Sequence, residues 1–350
     1  MTKERVTLTQ YISEEQHRVK GASGDFSVLL NDIVTACKSI SYLVSCGDLG
    51  AAAEDPRHYL ERTASEALIT TSNWTGRLAG ISSKLTEGLT SIPAKYPRGK
   101  YLLVFDPLNG SGNLDINFMS GTIFSVLRAP VGKRKVVTKD FLQPGNQLAA
   151  AGFVLYGAST RLVLTLGNGV NVFMLDRTVG EFILTHANVT VPDNANTFAI
   201  NASNERFWEV PVRRYVKECL AGKDGPRHRD FGMRWVASLV SEAYRILVRG
   251  GVFLYPVDEK TRDVGGRLGL LHEINPIAFI MEQAGGGAIT GRMRVLDVVP
   301  DALHQRSAFI FGSRSEVDLI HGYHKDYVAG RDPDTYDLPL FGNRSLFRNG

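Results

Sequence analysis

The densest chemistry in the chain lies in Asp106-Pro-Leu-Asn-Gly-Ser-Gly-Asn-Leu-Asp115. A short apolar run, Tyr101 to Phe105, empties there into an acidic, glycine-rich turn. An acid at the carboxyl end of a strand can ligate a hard metal ion. Small residues after it let backbone N–H groups approach a phosphate. Taken alone, the segment also suits a plain strand-ending Asx turn. Other chemistries have little support. The eight histidines show no HExxH spacing, His321 and His324 read as a surface pair, and neither a G-x-S-x-G elbow nor a Walker A motif occurs.

Something must hold that turn, and the flanking sequence shows what. Phe26, Leu29, Leu30, Ile33, Val34, Cys37, Ile40 and Val44 fall at helical spacing, with Asp25 placed to cap. Asp55 and Pro56 open a second helix carrying Leu60, Ala64, Ala67 and Leu68. Residues 72–99 read as turn-rich. YLLVF, GTIFSVL, GFVLYG, RLVLTLGNG, VNVFMLD and GEFILT then alternate with glycine turns, which predicts a multi-stranded sheet. Residues 201–249 read as mostly helical, with Val236, Leu239, Val240 and Tyr244 on one face. GGVFLYP predicts a strand, Asn275 to Gly286 a helix ending in glycines, and SAFIFGS a last strand. Helix and strand mix without a strict βαβ rhythm. The expected fold is a layered α/β/α arrangement with two mixed-sheet regions, divided near residue 200 into a 1–200 α+β domain and a 201–350 α/β domain.

Composition sets the class. The 350 residues are 43% hydrophobic and 22% charged, which excludes a disordered, collagen-like or coiled-coil chain. Lys+Arg 40 against Asp+Glu 36 leaves +4, and no basic block or aromatic–basic interleaving argues for nucleic acid. Cys37, Cys46 and Cys219 form no CxxC, so a reduced, cytoplasmic chain is expected. The polar start MTKERVTLTQ reads as no signal peptide, and no apolar run approaches the roughly 20 residues of a membrane span.

Along nearly its whole length the chain resembles the class I fructose-1,6-bisphosphatases. The resemblance rests on KYPRGKYLLVFDPLNGSGNLD, SGTIFSVLRAP, LQPGNQLAAAGFVLYG, GVNVFMLD, VGEFILT, GGVFLYP, LLHEINPIAFIMEQAGG and VLDVVPDALHQRSAFIFGS, in order. It implies a cytoplasmic gluconeogenic enzyme, a homotetramer or homodimer. Such an enzyme uses magnesium to hydrolyse the 1-phosphate of fructose 1,6-bisphosphate, and in many members AMP inhibits. The active site is expected at the junction of the two domains.

The departures fall in the reaction centre. The family pattern Asp-Pro-Leu-Asp-Gly-Ser-Ser-Asn becomes Asp106-Pro-Leu-Asn-Gly-Ser-Gly-Asn, so Asn109 replaces an acid and Gly112 a serine. The family's Ser-Glu-Glu aligns with Ser83-Lys84-Leu85. Among implied metal ligands, Asp106, the Leu108 backbone and Glu273 are kept, while Glu61 and Glu66 match shorter residues of the family. These acids suffice for one weakly held ion, not a multi-metal clamp. Lys84 could place an ammonium in a vacated cation position, pair with a phosphate, or form an imine with a ketose carbonyl. Catalytic roles are thus expected at Lys84, Glu66, Asp106 and Asn109.

The substrate side is better kept. Asn109, Gly110 and Ser111 match the phosphate turn. Asn201, Arg234 and Tyr255 match residues holding the distal 6-phosphate, the arginine reaching across from a neighbouring subunit. Arg267 stands for a substrate lysine, Trp235 and Asn204 for tyrosines, Gly269 for an arginine associated with the 1-phosphate, and His272 for a tyrosine. Gly24, Asp25, Ser27, Lys100 and Tyr101 match the implied AMP site. Three readings follow. The chain is a sugar-phosphate enzyme with a rebuilt centre, a slow or divergent metal-dependent phosphatase, or a non-catalytic binder of a phosphorylated ketose or related sugar phosphate.

Overall fold

The computed structural model describes residues 5–18, 24–50, 55–132 and 135–331. The first half runs α1 (Leu8–Arg18), α2 (Asp25–Cys46) and α3 (Pro56–Ser72). Seven strands follow: β1 (Leu78–Ser83), β2 (Tyr101–Asn109), β3 (Ser120–Arg128), β4 (Ala150–Tyr156), β5 (Thr160–Thr165), β6 (Val170–Asp176) and β7 (Glu181–His186). The second half runs β8 (Thr197–Ala199), α4 (Val210–Leu220), β9 (Gly232–Met233), α5 (Leu239–Arg249), β10 (Val252–Tyr255) and β11 (Leu268–Gly269). It ends with α6 (Asn275–Gln283), β12 (Gly287–Ile289), β13 (Arg306–Ser307), β14 (Phe309–Gly312) and α7 (Arg314–Val328).

Strands β1 to β7 pair in sequence order, and β1–β2 is the sheet's parallel pair. A second sheet runs β12-β14-β10-β8-β9. The apolar runs lack polar alternation because both faces of each sheet are covered. On β2, Leu103 and Phe105 pack against α2 and α3, whereas Leu102 and Val104 face α5 and α6. The second sheet puts Phe253, Phe309 and Phe311 on that same middle layer. Its Val252, Leu254 and Ile310 turn to α4 and α7. The layering is therefore α/β/α/β/α, the expected α/β/α motif drawn twice around a shared helical layer.

Several local expectations need correction. Gly24, in the left-handed region at φ 70°, precedes α2 as its N-cap, and Asp25 is its first residue. The turn-rich 72–99 stretch contains β1, hidden because LAGISS is short and small-residued. Residues 201–249, expected to be mostly helical, hold two 11-residue helices with β9 and loops between them. By length and hydropathy α2 could cross a membrane. Its face of Leu29, Leu30, Ile33, Cys37 and Ile40 is instead buried in the first core.

Helix α7, which carried no expectation, seats His324 at 3% exposure, so it is not a surface residue. Burial, helped by Arg292 and His321, pushes its imidazole down to about 4 from 6.5. Above pH 6.5 the group is neutral folded or unfolded and contributes nothing. Between 6.5 and 4 the unfolded chain binds a proton that the folded chain does not. Stability should fall across that window by up to about 3 kcal/mol from this residue. Urea unfolding at a series of pH values should show a shallower acid loss in His324→Gln.

Candidate active site

Strand parity decides what meets in the middle layer. Leu102 and Val104 point there, so Asp106 does too, and it is 2% exposed. A bulge between Asp106 and Asn109 lets β2 carry Asn109 to the same side. At the end of β1, Ser83 Oγ lies 3.3 Å from Ser65 Oγ on α3, which leaves Lys84 to face the opposite way. The Lys84 backbone N–H donates to Phe105 O at 3.0 Å, fixing its side chain beside β2. From the other side comes Glu273, on a π-helical turn, Leu270–Ile274, that leads into α6. Such turns are rare and recur at functional sites.

These four side chains make one closed unit. Lys84 Nζ donates to Asp106 Oδ2 at 2.8 Å and to Glu273 Oε1 at 3.0 Å. Asn109 Nδ2 donates to the same two oxygens, both at 3.0 Å. Glu273 Oε2 accepts from the Gly269 N–H at 2.7 Å. Asn109 Oδ1 is buried with no partner among the described residues. Burial alone would lower the Lys84 ammonium. Asp106 and Glu273 outweigh it and hold the group above its ordinary value. Burial, with Asp106 adding to it, pushes the Glu273 carboxyl up despite Lys84. A lysine nucleophile needs a lowered value, so this pairing opposes the imine role.

The unit floors a cleft of about 390 Å³ that Arg57, Glu61, Leu85, Leu108, Gly110, Ser111, Trp235, Tyr255 and Leu268 help to line. Glu61 Oε1 accepts both from Arg57 Nε at 3.1 Å and from the Ser111 hydroxyl. Gly110, at φ 78°, approaches Ser238, where a side chain would be crowded. Trp235 stacks on Phe253 at 5.7 Å and meets the Tyr255 ring edge-on. Burial raises the Tyr255 phenol, while nearby Arg267, itself exposed, opposes the shift. A larger concavity, about 870 Å³, lies beyond the shared wall of Arg57, Ser111 and Gly112, and none of Asp106, Asn109 or Glu273 lines it.

Other expected residues lie elsewhere. Glu66 is on the solvent side of α3, paired with Arg62 at 3.2 Å, because helical rotation carries it away from the face that holds Glu61 and Ser65. Asn201 caps a 3₁₀ turn, its Oδ1 accepting from the Ser203 N–H and hydroxyl. Arg234 is exposed and donates to Met233 O. Asn204 is buried. In the implied AMP region, Asp25 pairs with Arg77 at 2.5 Å and Lys100 at 3.1 Å, an acid already facing the basic groups there. Ser27 donates to Gln16, and Tyr101 packs on Phe26. Arg57 was not anticipated, although its i,i+4 spacing to Glu61 on a capped helix was a readable signal. His272 is buried, 2.9 Å from Ser82 Oγ and stacked on His304. Burial first, then His304 and Lys84, push it down to about 3.

The metal fit can be judged from these donors. Among the described residues, no group of three or more His, Cys, Asp or Glu is placed to hold an ion. The two buried carboxylates already share an ammonium. A multi-magnesium set does not fit the residues as they stand.

Two family models match, "Fructose-1-6-bisphosphatase, N-terminal domain" over residues 6–187 and its C-terminal domain over 191–325. A "Fructose-1,6-bisphosphatase class 1" of Hydrogenophilus thermoluteolus is 52% identical over 353 residues, covering 98% of this chain and 97% of the relative. The chain belongs to the class 1 fructose-1,6-bisphosphatase family. The crystal structure of the Leishmania major fructose-1,6-bisphosphatase in holo form superposes with TM-score 0.84 at 33% identity, covering 91% of this chain and 99% of that one. The two-sheet architecture is therefore the family's own. Membership makes the chain a sugar-phosphate enzyme by ancestry.

Two stability predictions follow from the site of this family member. Ala237 lines the cleft at φ 55°, a conformation that costs a residue with a Cβ about 1–2 kcal/mol. Ala237→Gly should stabilise the fold by about 1 kcal/mol in urea titration. Lys84→Met should destabilise by about 2 kcal/mol, below the range for a fully buried pair because the lysine side chain is 36% exposed.

Proposed function

We propose that the cleft binds a phosphorylated ketose and that multi-metal hydrolysis of fructose 1,6-bisphosphate is lost or strongly weakened. The observation that carries this reading is the Lys84 ammonium between Asp106 and Glu273. Divalent ions act in such chemistry by concentrating positive charge on phosphoryl oxygens. Here Lys84 supplies one charge, and Asn109 carries none where the family pattern has an acid. Gly269 offers no guanidinium to a 1-phosphate. The groups left to act on a ligand are this chain's own. Lys84 uses two of its three N–H donors on carboxylates, which leaves one for the cleft. Arg57 adds a second cation at the rim, and Trp235 and Tyr255 give a sugar an aromatic wall. The exposed Arg234 suits contact with a phosphate held by a neighbouring copy, which supports a homotetramer or homodimer. The cytoplasm is the compartment that fits the family.

A second reading, a slow phosphatase, is favoured by the retained carboxylates of Asp106 and Glu273 and by the relative's name. A phosphate-release assay with magnesium or manganese separates the two, run beside the Hydrogenophilus relative. The first reading expects release lower by about 10³ or more, the scale for losing even one electrostatic group aimed at the transition state. Calorimetry should still detect fructose 6-phosphate. Release within tenfold of the relative, abolished by Asp106→Ala, would establish the phosphatase instead. Binding with no turnover of any sugar phosphate would make the chain a non-catalytic binder.

A further inference from the structure

We propose that Lys84 is a tethered cation. Its ammonium fills a cage made by Asp106 Oδ2, Glu273 Oε1 and the Asn109 amide, and a diffusible hard cation enters that cage only when residue 84 is shortened or uncharged. This deepens the reading of the cleft as one that works without its family's metals.

The geometry carries the argument. Two carboxylate oxygens converge on one nitrogen at 2.8 and 3.0 Å, and both carboxylate side chains are at most 5% exposed. Two such charges cannot stay ionised side by side without a positive partner. Lys84 is held where it can serve. Its own N–H bonds Phe105 O. The following turn is pinned by Thr86 N–H to Ser83 O at 3.2 Å and by the His304 ring, whose Nε2 lies 2.9 Å from Thr86 O. Swinging the ammonium away would leave both carboxylates without a positive partner, so an ion must compete with a group that is always present.

Asn109 shows what the cage becomes without the lysine. Its Nδ2 now serves the two carboxylates, and its Oδ1 is buried with no partner among the described residues. Turning the amide over would present that oxygen to the same space. Asp106, Glu273 and Asn109 would then be three oxygen ligands, the set that hard ions such as magnesium and manganese take in preference to soft ones. The lysine therefore decides whether Asn109 acts as a donor to carboxylates or a ligand to an ion.

The test uses the full chain with no sugar phosphate, so its outcome is independent of whether the cleft binds a ketose. Thermal unfolding is followed near pH 8 in EDTA and with magnesium or manganese chloride, for wild type, Lys84→Met, Lys84→Gln and Lys84→Arg. Wild type and Lys84→Arg should keep the same melting temperature in all conditions. Lys84→Met and Lys84→Gln should gain several degrees with the ions, the shift expected at ~100-fold excess over a dissociation constant, and should lose it when Asp106→Asn is added. A variant that folds only with manganese present supports the cage equally. A wild-type gain that Asp106→Asn removes would overturn the proposal, because the cage would then already admit an ion. Absence of any ion response in both uncharged variants would overturn it too.

Discussion

Two carboxylates buried between two sheets are the constraint around which this molecule is arranged. Asp106 lies on the wholly buried strand β2, and Glu273 sits in the turn before α6, both almost out of reach of water. Charge at such depth is tolerated only when it is compensated and fully hydrogen-bonded. Lys84, Asn109 and the Gly269 N–H meet that requirement from three separate stretches of chain. The polarity of the cleft floor follows from how the compensation is made.

The five layers exist in a form that delivers these groups to one place. Pairing β1 parallel to β2 brings the ends of both strands out at the same edge, so Lys84 and Asp106 emerge together. The middle helical layer is shared by the two sheets, and α6 carries Glu273 at its entry. Phe253 and Tyr255 of β10, with Trp235 from the loop after β9, close the opposite wall. Strain is accepted at this junction. Ala237 holds a left-handed conformation beside the cleft, and its carbonyl accepts from Asn113 Nδ2.

Elsewhere the same physics gives purely structural results. Glu316 on α7 is 1% exposed and is bonded by Tyr215, Arg227 and Arg229, with Arg227 also lying over the Tyr215 and Phe231 rings. That network is also buried and charged. Buried ionic groups by themselves do not mark a site. At the Asp106 region a shared ammonium meets two buried carboxylates on the floor of a cleft.

The sequence by itself determined the family and the two-sheet class. Long apolar runs between glycine turns are local signals, and the motifs around Asp106 and Glu273 are legible in sequence order. What it left open was contact. A strand as short and small-residued as LAGISS carries too weak a pattern to be read, so β1 stayed hidden, and with it the parity that turns Lys84 inward. Glu61 and Glu66 look equivalent along the chain, yet 3.6 residues per turn send one to the cleft and the other to solvent. His324 looked exposed because helix α7 was not visible as a buried layer. Lys84 to Asp106 spans 22 residues and Lys84 to Glu273 spans 189. Only the tertiary structure could decide that one ammonium bridges both, because the burial that makes the pairing obligatory is produced by the packing of two sheets and not by any neighbour in sequence.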